Sequence, residues 1–181
     1  MFTKLNITHT LAKKPYLELF QEYHAQIDGV ESVLSRYAID KFLENELLQI
    51  IPEGYRKYFT AQCIEITGRG ALPHSHAEDK VVINFYVNPA NGTTTGYKVK
   101  NNRKYAYDAE GQQKESILHD PNDLVIAETY LPKSGEIWVL DASLPHSVSM
   151  PHSDTRFMYS LVTDQLDYKT VRYILKKLID A

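Results

Sequence analysis

Cysteine is nearly absent: Cys63 stands alone in 181 residues. An internal disulfide is therefore excluded, and a reducing cytoplasm is the expected compartment. Cys63 sits within a stretch that alternates as a strand does, so it reads as a buried side chain and not as a nucleophile. Long apolar runs are missing as well. No stretch reaches the length of a membrane span, and the opening MFTKLNITHTLAKKPYLELF lacks the apolar core of a secretion signal. There is no excess of basic charge: 20 Lys and Arg face 23 Asp and Glu, a formal charge of -3. Neither nucleic acid nor an anionic membrane is the expected partner. The segment NPANGTTTG has no lysine and is no phosphate loop. No Ser-His-Asp order marks a hydrolase, and neither internal repeats nor low-complexity segments occur.

What is present is the balance of an ordinary globular chain, 43% hydrophobic and 24% charged. The length suits one domain that can bury a core without covalent staples. Residues 1–55 read as N-terminal helices. One spans 15–28, with Tyr16, Leu19, Phe20 and Tyr23 at helical spacing between Pro15 and Gly29, and a second spans 38–50, with Ile39, Phe42, Leu43, Leu47 and Ile50 on its apolar face. The character then changes. KYFTAQCIEIT (57–67) alternates, and KVVINFYV (80–87) is the strongest strand of the chain. NPANGTTTG reads as a turn, GYKVKNNRKYAYD as a hairpin with Asn101-Asn102 near its tip, and EGQQKESILHDPND as a polar loop. DLVIAETYLP, GEIWVLD, HSVSM and TRFMYSLVTD are short strands. YKTVRYILKKLIDA (within 167–181) is a closing helix with Val171, Ile174, Leu175 and Leu178 as its stripe. About eight short strands over 57–165, with helices at the chain ends, predict a mainly β fold: a sandwich, barrel or jelly roll covered on one outer face.

The chemistry concentrates in ALPHSHAEDK (71–80). In an extended chain His74, His76 and Glu78 share one face. His146 opens a later strand, after GEIWVLD and the turn ASLP, and Arg156 follows ten residues on at the start of another strand. In a jelly roll such distant strands can face each other, so ligands from both halves of the chain can meet on one ion. Two imidazoles and a carboxylate on one face would form the facial triad of non-haem iron oxygenases, with open coordination positions. His9, His24, His119 and His152 read as surface or capping residues, Trp138 as core, and Asp141 as a turn cap.

GEIWVLDASLPHSV, followed by Arg156, resembles the double-stranded β-helix oxygenases that use Fe(II) and 2-oxoglutarate. Within them it is most similar to the free-proline cis-hydroxylases and the aspartyl/asparaginyl hydroxylases. PHSH (73–76) resembles their Pro-His-x-Asp. The likeness covers roughly residues 57 to 165 and implies a double-stranded β-helix. It implies His74 and His146 as metal ligands, and Arg156 as the partner of the far carboxylate of 2-oxoglutarate, a role that suits a guanidinium fork. It also implies hydroxylation of a small molecule or an amino-acid or peptide side chain, with release of succinate and CO2. His76 departs from the pattern by standing where the family has aspartate. Two completions of the site remain: an all-imidazole set of His74, His76 and His146 with Glu78 orienting a histidine, or a slipped pair in which His76 and Glu78 supply the ligands. A second departure is Val82 and Asn84 where relatives bind the cosubstrate, with Asn84 and Tyr86 the available hydrogen-bonding groups. Two other readings stay open: a three-histidine dioxygenase that needs no 2-oxoglutarate, and a jelly-roll module that binds metal or ligand without turnover. The segment 91–123 is expected to border the pocket as a lid.

Overall fold

The computed structural model describes residues 1–14, 18–100 and 116–180. Twelve strands occur among them: β1 (Phe2–Thr8), β2 (Glu18–Ile27), β3 (Val30–Ala38), β4 (Thr60–Ile66), β5 (Gly70–His76), β6 (Val81–Asn88), β7 (Thr93–Val99), β8 (Ser116–Leu118), β9 (Leu124–Tyr130), β10 (Glu136–Asp141), β11 (His146–Ser149) and β12 (Arg156–Thr163). Three α-helices accompany them: α1 (Lys41–Leu47), α2 (Tyr168–Ile174) and α3 (Lys176–Ile179). The strands form two sheets, one of seven in the order β1-β10-β6-β12-β4-β3-β2 and one of five in the order β8-β5-β11-β7-β9.

The pairing is that of one long hairpin wound up. At its centre β7 pairs with β9; around that pair lie β6 with β10, then β5 with β11, then β4 with β12, each antiparallel. Successive nested pairs alternate between the two sheets. This is the double-stranded β-helix, a jelly-roll sandwich, and it brings the early strands beside the late ones.

The central strands of the larger sheet are covered on both faces, which is why VVINFYV reads as an almost unbroken apolar run. Val81, Ile83 and Phe85 point outward into a core shared with Leu43 and Leu47 of α1 and Val171 of α2. Tyr86 joins Ile64, Ile66, Tyr130 and Met158 in a second cluster between the sheets. Strand β12 follows the same alternation: Phe157, Tyr159 and Leu161 lie in the outer core, while Met158 faces inward and Arg156 lines the space between the sheets. Asp40 caps α1 by accepting from the Leu43 N–H at 2.7 Å, and Asp167 caps α2 by accepting from the Thr170 N–H at 2.7 Å.

Of the N-terminal helix expected over 15–28, residues 15–17 lie outside the described residues, and Glu18–Ile27 is instead strand β2, paired with β3. Gln21, Tyr23, Ala25 and Ile27 are half-buried while Glu22, His24 and Gln26 are exposed, a period of two, and Leu19 and Phe20 of the expected helical stripe lie 46% and 54% exposed. Asp28-Gly29 makes the turn, with φ of 52° and 75°. Two successive left-handed residues of this type form the tight hairpin turn. The Asp-Gly pair between alternating residues was the legible signal, and helical spacing over four residues misled. The second helix forms over Lys41–Leu47 and continues as a 3-10 turn to Ile50, although Phe42 is 72% exposed. The closing helix breaks at Leu175 into α2 and α3 while keeping its apolar stripe. TTT of the expected turn belongs to β7, and part of the expected polar loop is β8. The expected hairpin tip at 101–102 lies outside the described residues.

At Gly70 strands β5 and β11 approach closely: a Cβ built there would meet the Val148 carbonyl oxygen at 2.1 Å, and its φ is +110°. Gly70→Ala is expected to cost roughly 2 kcal/mol or more, a fall of at least about 4 °C in Tm by calorimetry, through both backbone strain and strand separation.

Candidate metal centre

Strand β5 carries His74 and His76 two residues apart, so both rings leave the same face. Across the ladder His146, the first residue of β11, pairs directly with His74. Ring centroids lie 4.4 Å apart for His74 and His146, 5.2 Å for His76 and His146, and 5.5 Å for His74 and His76. One nitrogen from each ring lies within 4.8 Å of the other two, so these three histidines could hold a metal ion.

The orientation of two rings is settled by the backbone. Nδ1 of His74 lies 2.7 Å from the Leu72 carbonyl oxygen, and Nδ1 of His146 lies 2.9 Å from that of Leu144. A carbonyl only accepts, so both Nδ1 atoms carry the proton and both Nε2 lone pairs are free for a cation. Nδ1 of His76 is buried without a hydrogen bond, and its near acidic neighbour is Asp79, whose Oδ2 lies 3.4 Å away. Burial, reinforced by the neighbouring His76, lowers His74 to a pKa of about 4. Burial, then His74 and His76, holds His146 well below the ordinary imidazole range. Neutral imidazole is the form that binds metal, so His74 and His146 are ready at neutral pH. Three imidazoles suit a first-row transition ion such as Fe, Zn, Cu or Ni.

The triad lines a cavity of about 570 Å³ between the two sheets, which Arg156, Asn84, Tyr86 and Tyr130 also line. Arg156 is fully buried. Its Nε donates to the Pro89 carbonyl at 3.2 Å, one Nη to Thr94 Oγ1 at 2.9 Å and the other to the Gly92 carbonyl. The guanidinium lies 5.5 Å from the Tyr86 ring centre. Every one of these acceptors is neutral, and no ion pair to Arg156 occurs among the described residues. A buried cation without a counter-charge is costly unless something anionic joins it. Beside it runs a chain of hydroxyls and amides: Ser160 Oγ donates to Asn84 Oδ1 at 2.7 Å, Asn84 Nδ2 lies 3.5 Å from the Tyr86 hydroxyl, and that hydroxyl lies 2.7 Å from the Tyr130 hydroxyl. Burial, then the Tyr86 neighbour, pushes Tyr130 well up, so its phenol keeps its proton.

The structure thus brings His74, His76 and His146 together, and lines the same cavity with Arg156 and Asn84. Glu78 stands apart from them: β5 ends at His76, the chain bends at residues 77–78, and Glu78 is exposed and not among the three clustered histidines. The alternation that the slipped pair of His76 and Glu78 relies on stops where the strand stops. Asp79, not Glu78, is the carboxylate beside the histidines. His119 lies nearby but outside the cluster, with Nε2 3.0 Å from Ser75 Oγ. Tyr130 and Thr94 were missed. Thr94 lay in a stretch taken as turn, and Tyr130 carried no mark beyond its place in a strand. Of the segment 91–123, Thr94 and Leu118 line the cavity, while 101–115 lies outside the described residues. Cys63 is buried, and burial followed by Glu65 pushes its thiol up to about 12, so it is inert. Among the described residues no helix is long and apolar enough to cross a membrane.

No family model matches the sequence, and no curated protein is similar to it. Similar solved structures include an oxidoreductase of the 2OG-Fe(II) oxygenase family from Burkholderia pseudomallei, at 8% identity and a TM-score of 0.44, covering 81% of this chain and 74% of that one. Another is ycfD of E. coli, at 13% identity and a TM-score of 0.49; it covers 97% of this chain, which spans just under half (46%) of that protein. A third is the L-ribose isomerase of Cellulomonas parahominis with L-psicose, at 11% identity and a TM-score of 0.33, covering 73% of this chain and 61% of that one.

Two measurements check the centre. His146→Ala is expected to cut divalent metal bound per chain at least about tenfold, read by elemental analysis after gel filtration. The second is the pH dependence of stability in metal-free protein. Unfolded, His74 and His146 take up protons below about pH 6.5, whereas burial keeps them neutral in the fold. The unfolded state then binds more protons, so stability is full above pH 6.5 and falls as the pH drops towards 4, by about 2–3 kcal/mol for His74 alone. In His146→Gln, denaturant titrations between pH 7 and 4.5 should show a shallower loss; an unchanged slope counts against a neutral, buried His146.

Proposed function

We propose that this chain is a mononuclear non-haem iron oxygenase that uses 2-oxoglutarate to hydroxylate a small molecule or an amino-acid side chain. The observation that carries this reading is the pairing, in one cavity, of three convergent imidazoles with a buried guanidinium that lacks a counter-charge. Fe(II) and 2-oxoglutarate bound there would supply the chemistry: activation of O2, oxidation of the cosubstrate to succinate and CO2, and hydroxylation of a C–H bond. The chain's own residues bind and orient. His74, His76 and His146 offer three donors on one side of the cavity, which leaves the opposite side open to cosubstrate and O2. Arg156 pairs with the far carboxylate of 2-oxoglutarate through the fork that its three backbone and side-chain acceptors hold rigid. The Tyr86 and Tyr130 hydroxyls and the Asn84 amide offer further hydrogen bonds on the same wall. The two sheets exclude bulk water around the reacting atoms. No side chain need act as a base. The free, buried Cys63 suits a reducing cytoplasm as the compartment.

One observation favours a second reading. The all-imidazole donor set is also that of three-histidine dioxygenases that take no 2-oxoglutarate. O2 uptake and succinate release by the Fe(II)-loaded protein separate the two. The first reading expects slow succinate formation that needs 2-oxoglutarate and vanishes in His146→Ala. The second expects O2 uptake that is indifferent to 2-oxoglutarate, and a binding module expects neither. Arg156→Lys keeps the charge but loses the fork, so it should raise the Kd of 2-oxoglutarate for the Mn(II)-loaded protein about 10- to 100-fold in calorimetric titration. An unchanged Kd would sink the role of Arg156.

A further inference from the structure

Three neutral donors leave the charge of a divalent ion uncompensated, and the surroundings of the triad answer this unevenly. His74 and His146 each rest on a neutral group, the carbonyl oxygen two residues earlier in the chain. His76 does not. The three residues after it form a short excursion pinned at both ends. The His76 N–H donates to the Ala142 carbonyl at 2.9 Å, the Ala142 N–H donates to the Lys80 carbonyl at 3.0 Å, and the Lys80 N–H donates to the Thr163 carbonyl at 2.9 Å. With residues 76 and 80 held by the neighbouring strands, the bend at 77–78 returns Asp79 to the imidazole. Its Oδ2 stops 3.4 Å from Nδ1, with the side chains of His76 and Asp79 only 10% and 23% exposed. That nitrogen is buried and makes no hydrogen bond. Glu78, one residue earlier, faces solvent. Among the described residues Asp79 is the carboxylate at ion-pair distance from the triad.

We infer that Asp79 is a positioning residue that supplies through the His76 ring the negative charge which a directly bound carboxylate would otherwise bring. The inference rests on the reading of the triad as a metal centre. A cation drawing electron density from Nε2 makes the Nδ1 proton more acidic and strengthens its attraction to Asp79. No proton moves and no bond breaks: the proton stays on Nδ1, the ring nitrogen that lies 3.4 Å from the carboxylate. Asp79 then selects the tautomer, holds the ring plane, strengthens Nε2 as a donor and lowers the net charge of the centre by one. Tighter divalent binding follows, together with relative stabilisation of the ferric over the ferrous state.

The test uses the whole chain stripped of metal by a chelator and titrated with Co(II), whose visible absorption reports ligand geometry. Asp79→Asn is expected to weaken Co(II) binding about 10- to 100-fold, to shift the Co(II) bands, and to move the iron midpoint potential to more positive values. Asp79→Glu restores the carboxylate and should recover most of the affinity, whereas Glu78→Gln makes the same change of charge in the exposed bend and should stay within about twofold of the starting protein. Asp79→Asn that binds Co(II) with unaltered affinity and spectrum overturns the inference, even if its Tm falls, because that pattern is a folding role alone. Wild-type protein that takes up neither Co(II) nor Fe(II) overturns the metal centre itself and the inference with it. Metal uptake without succinate formation, with Asp79→Asn still impaired, upholds Asp79 and defeats only the oxygenase reading.

Discussion

The ladder between β5 and β11 is the contact on which the site depends. It joins segments from opposite halves of the chain and sets His146 directly across from His74. The nested pairings outside and inside it, β4 with β12 and β6 with β10, leave it little freedom to slide. A slip of one residue would turn every side chain to the other face and scatter the imidazoles. The close approach at Gly70 keeps the two strands at the spacing the ladder needs. Geometry at the centre is thus inherited from the sandwich as a whole, and no local loop has to create it.

Charge is arranged in two zones of one cavity. Around the triad burial holds His74 and His146 neutral, and their Nε2 lone pairs are left free. Around Arg156 a permanent cation sits among neutral acceptors that orient it without cancelling its charge. A lone-pair cluster calls for a metal cation and a bare guanidinium calls for an anion.

Much of this was legible in residues. The His-x-His spacing, the strand GEIWVLD leading to His146, and the arginine opening the next strand all sit where the pattern placed them, because β alternation is local and strong. A sandwich, barrel or jelly roll followed from many short strands broken by Gly and Pro, and the double-stranded β-helix among these from the resemblance carried by GEIWVLDASLPHSV. The misses have physical causes. Helical spacing of four aromatic and aliphatic residues concealed an edge strand that has few apolar contacts to declare its period. Glu78 looked like an extension of the alternation because nothing in the letters marks where β5 stops. Asp79 became visible only once the backbone bonds of His76 and Lys80 showed how the bend returns. Tyr130 and Thr94 reach the cavity through sheet pairing, which a single sequence does not display.

The two walls of the cavity differ in how firmly they are built. Strands β6 and β12 lie mid-sheet and are buried on both faces, so their amides belong to the last cooperative unit to open. The β2–β3 hairpin, which contributes Tyr23, Leu34 and Arg36 to the cavity, forms the margin of its sheet, and among the described residues β2 has a neighbour on one side only. Breathing of that margin costs local free energy and leaves the ladder intact. Amide protection is thus graded across the cavity, lowest along the hairpin margin and highest in the strands at the sheet's middle.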